Sequence, residues 1–319
     1  MHCSATVSRL VGLAVGLAAF QVAAQDAQTW LNRMTRAIED LSYQGTFVHL
    51  LAGEAETLQI VHLNDDGRVS ERIMSMDGVG REIIRHEDEV RCILPDRRIV
   101  LLEERRDVSP LVSALPTYSE DLRRHYDFSL LSTGRVAERE TQIVAIQPKD
   151  EFRYGYILWL DGETAMPLKS QLRDGQGRTL EQVLFTAIEI SDDIPLSALE
   201  PTIDADGFSV IRAPEASQSE EALQWRASRL PRGFKLSVAT QKPMAGSEYP
   251  VEHLVYSDGL ATVSVFIENP NSEPEVAQGF SRVGSANAYS LSLDGRQVTA
   301  IGEVPMRTVE TIATSLTAP

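Results

Sequence analysis

The stretch GTFVHLLAGEAETLQIVHLNDDGRVSERIMS, Gly45–Ser75, decides how this chain folds. It holds three runs rich in Val, Ile, Leu, Phe and Thr: GTFVHLLA, ETLQIVHL and RVSERIMS. The last two meet at Asn64-Asp65-Asp66-Gly67, a tight-turn signature. Further on, REIIRH, EVRCIL and RRIVLLEE follow turns at Asp77-Gly78, Glu87-Asp88 and Pro95-Asp96. Short strands at this spacing predict an antiparallel meander over 45–103. GTFVHLLA and RRIVLLEE are apolar at both parities, so parts of the sheet are expected to be covered on both faces.

Outward from this core, Trp30, Leu31, Met34, Ile38 and Leu41 share one helical face opposite Arg33, Arg36, Glu39 and Asp40, which predicts a helix over 28–41. Downstream, strands resume as YDFSLL, TQIVAIQP, RYGYILWLD, PLKSQLRD and RTLEQVLFTAIEI, with turns at Asp161-Gly162 and Asp174-Gly175-Gln176-Gly177. Ser191 to Gln224 is rich in Asp, Glu, Ser, Ala and Pro and reads as an interdomain linker with room for one strand at Phe208–Ile211. A second set of strands follows Trp225: FKLSVAT, PVEHLVYS, LATVSVFIE, AYSLSL and QVTAIGE. A helix starts near Pro305, with Met306, Val309, Ile312 and Leu316 on one face. The expected fold class is α+β, mostly antiparallel β. The expected divisions are an N-terminal domain over 25–200, a linker over 201–224 and a C-terminal domain over 225–319.

The first 24 residues read as a signal peptide. Arg9 precedes an apolar run from Leu10 to Phe20, which falls short of the roughly 20 residues a spanning helix needs. Val22-Ala23-Ala24 offers small residues for cleavage after Ala24, and Cys3 stands on the wrong side of the run to be a lipid anchor. A buried N-terminal helix is the competing reading. The rest shows no apolar run of spanning length, so export to the periplasm is expected.

The formal net charge is −16, which argues against nucleic-acid binding, where affinity rests on neutralising phosphates. Beyond the leader only Cys92 remains, so no internal disulfide is available, and it reads as a small buried apolar residue. No G-x-S-x-G, H-E-x-x-H, glycine-rich phosphate loop or S-x-x-K is present. No enzyme, metal or cofactor is therefore expected. His49 and His62 fall in facing strands, where a cross-strand pair is conceivable but a half-exposed strand position is the plainer reading. His86-Glu87-Asp88-Glu89 reads as a solvated turn, and Asp65-Asp66-Gly67 lacks the full calcium loop. The arginines from Arg68 to Arg106 read either as an anion-binding surface or as the outward face of a sheet.

Residues 105–125 break the strand pattern. Leu111, Val112, Leu115 and Tyr118 lie between Arg105, Arg106 and Arg123, Arg124. Apolar area flanked by guanidinium forks suits an amphiphile with acyl chains and phosphates. A short helix packed on the sheet is the equal alternative.

Six stretches, in order, resemble one family: AIEDLSYQGTFV (Ala37–Val48), YILWLDGETAMPLKSQLRDGQGRTLEQ (Tyr156–Gln182), WRASRLPRGF (Trp225–Phe234), VEHLVYSDGLATVSVFIE (Val251–Glu268), ANAYS (Ala286–Ser290) and VTAIGEVP (Val298–Pro305). The family is RseB/MucB, periplasmic regulators of the envelope-stress sigma factor. The resemblance implies a half-open barrel with helices in its concavity, as in periplasmic lipoprotein carriers, and a smaller sheet-and-helix domain. It implies binding to the periplasmic segment of a single-pass anti-sigma factor, protection of that segment from the site-1 protease, and release on binding lipopolysaccharide or a related lipid. In that half-barrel, 105–125 becomes a lid, with Phe47 and Trp159 as wall residues. A homo-oligomer is compatible with this picture. The alternative is a lipid or lipoprotein carrier, for which a second domain would be superfluous.

Overall fold

The structure, a computed structural model, describes residues 27–86, 89–104, 119–212, 225–242, 251–268 and 278–317. The expected leader and the site residues Leu111, Leu115, Tyr118, Arg105 and Arg106 lie outside the described residues. Residues 27–40 form helix α1, and its stripe of Ala27, Leu31, Met34, Ala37 and Ile38 is buried. The strands then follow in chain order: β1 (Tyr43–Leu51), β2 (Glu54–Asp65), β3 (Arg68–Ser75), β4 (Glu82–His86), β5 (Glu89–Leu94), β6 (Ile99–Glu104), β7 (Tyr126–Val136), β8 (Arg139–Pro148), β9 (Gly155–Asp161), β10 (Pro167–Arg173), β11 (Thr179–Ile190) and β12 (Ser209–Arg212).

They form one 12-stranded sheet in the order β12-β6-β5-β4-β3-β2-β1-β11-β10-β9-β8-β7. Its end strands, β12 and β7, do not pair with each other, so the half-barrel stays open. All pairings are antiparallel except β12 with β6. The hairpin turns predicted at Asp66-Gly67 and Gly177 fall where the backbone takes positive φ. At Gly45 the β1–β11 contact is close: a Cβ there would stand 2.5 Å from the Ala187 carbonyl oxygen. Helix α1 lies on one face of the sheet, where Leu31, Met34 and Ile38 share a core with Tyr43, Phe47, Leu58, Ile60, Ile73, Leu158 and Phe185.

The stretch read as a linker departs from expectation over its first half. Ile194, with Ala198 and Leu199, packs on Val61 and Leu63 on the other face of β2. The Glu82 carboxylate, fully buried, accepts from the backbone N–H of Thr202 and of Ile203 at 3.0 Å and from the Thr202 hydroxyl at 2.7 Å. Arg72 stands 3.6 Å from Glu82 and donates to the Glu200 carbonyl at 2.7 Å. A buried carboxylate is tolerable only with such partners. They deliver the chain to β12, which extends the sheet. Polar composition here marks residues that bind the sheet's edge.

The C-terminal part holds β13 (Arg226–Ala227), β14 (Lys235–Lys242), β15 (Val251–Ser257), β16 (Thr262–Glu268), β17 (Gly279–Val283), β18 (Ala286–Leu293), β19 (Arg296–Gly302), α2 (Met306–Thr314) and β20 (Leu316–Thr317). Its six-stranded sheet runs β14-β15-β16-β19-β18-β17. Val309, Ile312 and Ala313 of α2 close the core over Val265, Val298 and Ala300, beside Trp225. Pro305 caps α2 from outside its first turn, where a missing N–H costs nothing.

Candidate functional site

Strand registers place two rows of side chains on the face that carries α1. One row is apolar and crosses six strands: Ile60 opposite Ile73, then Ile83, Cys92, Leu101 and Ile211. Its burial fades with distance from α1, from 0% exposed at Ile60 to 46% at Ile211. Ile83, Cys92 and Leu101 are half-buried. The apolar surface of β4, β5 and β6 is therefore left partly open where an apolar ligand could lie.

The neighbouring row is polar: Tyr43 opposite His62, then Glu71 and Arg85. The Tyr43 and His62 rings stack 4.8 Å apart, and His62 Nδ1 lies 3.1 Å from Glu71. Burial pushes the Tyr43 hydroxyl well above its ordinary value, and the Glu71 charge adds to this. His62 is only 2% exposed, so the half-exposed reading fails for it. Nor do His49 and His62 pair: His49 faces Glu56, and His62 faces Tyr43. Cys92 is half-buried, not sealed in the core.

The expected wall residues separate. Phe47 faces α1 and packs 5.5 Å from Phe185, centroid to centroid. Trp159 is opposite Lys169, which is opposite Leu184, the neighbour of Phe185, so it points to the other face. Lys169 Nζ lies 4.4 Å over its ring. Both residues border the same core, Phe47 within it and Trp159 partly buried against it, although the register aims them at opposite faces. Arg123 and Arg124 are exposed in a short 3-10 turn, Glu120–Arg124, at the β7 edge, across the sheet from Cys92 and Leu101. The row on β4–β6 was readable as one alternating set in each segment: the third position of REIIRH, the fourth of EVRCIL and the fifth of RRIVLLEE. What the sequence hid was which parity faces α1.

Most arginines between Arg68 and Arg98 are engaged. Arg68 pairs with Asp65, Arg81 with Glu56 and Arg91 with Glu89, while Arg98 lies over the Phe208 ring. That pattern favours the sheet-surface reading over an anion site.

A second constellation joins the two domains. Arg153 and Asp258, both with fully buried side chains, stand 3.2 Å apart. The Tyr126 hydroxyl donates to Asp258 at 3.1 Å, and Arg153 donates to the Arg232 carbonyl at 2.5 Å. The guanidinium lies 5.4 Å from the ring centres of both Tyr126 and Phe234. Burial, then Arg153, lowers the nearby His125 imidazole. Around this pair, Thr308 donates to the Phe152 carbonyl and Asn287 to the Tyr154 hydroxyl. Among the described residues no group of three or more His, Cys, Asp or Glu side chains could hold a metal ion, and no helix is long and apolar enough to cross a membrane.

Known proteins match this architecture along its length. The MucB/RseB N-terminal domain matches residues 26–203, and the MucB/RseB C-terminal domain matches 219–317. The sigma factor AlgU regulatory protein MucB of Pseudomonas aeruginosa is 34% identical over 318 residues, covering 98% of this chain and 97% of that protein. The sigma-E factor regulatory protein RseB of Escherichia coli K12 is 27% identical over 287 residues, covering 90% of this chain and 89% of its own length. A solved complex of Pseudomonas aeruginosa MucA/MucB contains a chain that superposes with a TM-score of 0.73 at 32% identity, covering 92% of this chain and 99% of that one. MucB in complex with MucA(peri) gives 0.70 at 33%, covering 92% and 98%. An open sheet over α1, a second sheet closed by α2, and a match to both domains in order make this chain a member of the MucB/RseB family.

Proposed function

We propose that this chain is an exported periplasmic regulator. It binds the periplasmic segment of a single-pass anti-sigma factor of the MucA/RseA kind and shields that segment from the site-1 protease. It lets go when lipopolysaccharide or a related lipid binds, and so restrains the envelope-stress response until the lipid accumulates. The observation that carries this reading is the match, over 92% of the chain, to a MucB chain solved with MucA(peri). The lipid arm is supported by the half-open apolar row Ile83, Cys92, Leu101 and Ile211, where acyl chains would gain about 25 cal/mol per Å² buried. Phe47 stays with this wall. The lid over 105–125 is part of the proposal: Arg105, Arg106, Leu111, Leu115 and Tyr118 lie outside the described residues, and Arg123 and Arg124 stand in the exposed turn Glu120–Arg124.

A lipid carrier is the second reading, favoured by the apolar row alone. The test mixes the chain lacking residues 1–24 with the periplasmic segment of its host's anti-sigma factor. Calorimetry should show a complex, site-1 protease should cut the segment more slowly, and lipopolysaccharide should restore cutting. No complex at micromolar concentrations overturns the regulator. Lipid binding without a complex favours the carrier.

A further inference from the structure

Away from Arg153 and Asp258, the domains meet a second time. Glu303, which follows β19 in the C-terminal domain, comes within hydrogen-bonding reach of Glu181 on β11 of the N-terminal domain. Glu181 lies 2.6 Å from His49 Nε2 on β1. Ser285, between β17 and β18, donates to Glu303. Beside them Leu51, the last residue of β1, lies against Gly284, where a Cβ would stand 3.1 Å from it. The cluster is thus assembled from both domains and shielded by apolar contact.

Two carboxylates so close cannot both stay ionised cheaply away from water. Burial above all, then the Glu181 charge, pushes the Glu303 carboxyl up to about 7, against the Ser285 hydrogen bond and His49. The hydrogen bond to Glu181 raises His49 against the effect of its own burial, and Glu56 and Glu303 add to it. Glu56 faces His49 from β2, and Tyr156 faces the pair from β9, its hydroxyl raised by burial and by Glu303, Glu181 and Asp258.

We propose that Glu303, Glu181 and His49 form a proton-operated clasp between the two domains, closed when Glu303 carries a proton that it donates to Glu181. Ionisation of Glu303 sets two negative charges against each other across the junction, and water can relieve them only if the domains part. The sign follows from linkage. Docking raises Glu303 above its ordinary 4.5, so its contribution is whole below that value and is lost as pH rises through about 7. His49, also raised, acts in the same direction. It sits with Glu181 in one domain, so opening leaves that bond intact and the imidazolium only eases the carboxylate pair. The docking constant should fall by roughly two orders of magnitude between about pH 5 and about pH 8.5.

Small-angle X-ray scattering on the full chain without its leader tests this with no partner or lipid present. At about pH 5.5 the molecule should be compact, and at about pH 8.5 its maximum dimension should lengthen. Glu303→Gln, which keeps a neutral donor toward Glu181, should stay compact at both. Glu181→Gln removes the like charge, so the transition should shrink and its remnant lie at lower pH, which tests the idea even if the first variant fails to fold. Wild type with the same dimension at both pH values overturns the clasp. So does a transition that survives Glu303→Gln, or one that Glu181→Gln leaves in place.

Discussion

Arg153 and Asp258 bury two full charges in contact, and at this scale the molecule is most exposed to mutation. Besides each other, Arg153 has the Arg232 carbonyl and, at 3.3 Å, Asp150, while Asp258 accepts from the Tyr126 hydroxyl and from the backbone N–H of Leu260 and of Ala261. Stranding one partner of a buried pair costs about 3–5 kcal/mol, because the remaining charge loses both water and counter-charge. Asp258→Ala should therefore lower the free energy of unfolding measured in urea by about 3 kcal/mol, the low end because Asp150 still faces Arg153, and a loss under about 1 kcal/mol would show that water reaches the guanidinium. Nothing in RYGYILWLD singled out its first residue, since an arginine at a strand's start is ordinary surface chemistry. Its role comes from Asp258, which stands in the turn between β15 and β16, over a hundred residues away. The same holds for Glu303 and Glu181: each is one of many acidic residues, and only the meeting of two domains makes a pair of them.

Among elements, the strands were legible because alternation and Asp-Gly turns act over a few residues. RVSERIMS became β3 without a change at either end, and the helix predicted at 28–41 formed at 27–40. β17 was missed, as all but one of the five residues in GFSRV are exposed and no alternation marks it. β12 was read as one strand within a linker, but its parallel pairing with β6 could not be read, because long-range docking through Glu82 sets it. Of the candidate site, the apolar residues were visible and their sidedness was not, which is how Phe47 and Trp159 came to be assigned to one wall. Glu82→Ala should remove the acceptor of three hydrogen bonds and loosen residues 200–212. Hydrogen exchange should then speed up at Thr202, Ile203 and β12 while β8 and β9 remain as protected as in wild type. Unchanged protection at Thr202 would mean that Ile194 and Leu199 hold the segment alone.

At the scale of the whole molecule, the division between domains lies later than composition suggested. Chain up to Arg212 is paired to the N-terminal sheet, and Trp225 is already in the second core. Limited proteolysis should first cut between these two residues and leave two protected fragments, since cores open less readily than connections. Early cuts within 191–212 instead would show that β12 is not held in solution. The position of β12 has one more consequence. The chain leaves the N-terminal sheet at one edge, whereas Tyr126 of β7, at the opposite edge, meets the second domain. Twelve residues, 213–224, join Arg212 to Trp225, so these two can stand at most roughly 45 Å apart however that stretch is arranged. A second domain that lets go of Arg153 and Glu181 therefore stays confined near its seat, at an effective concentration on the order of millimolar. Return to the seat is then an event within one molecule, so how often it is occupied does not depend on how much of the protein the cell makes.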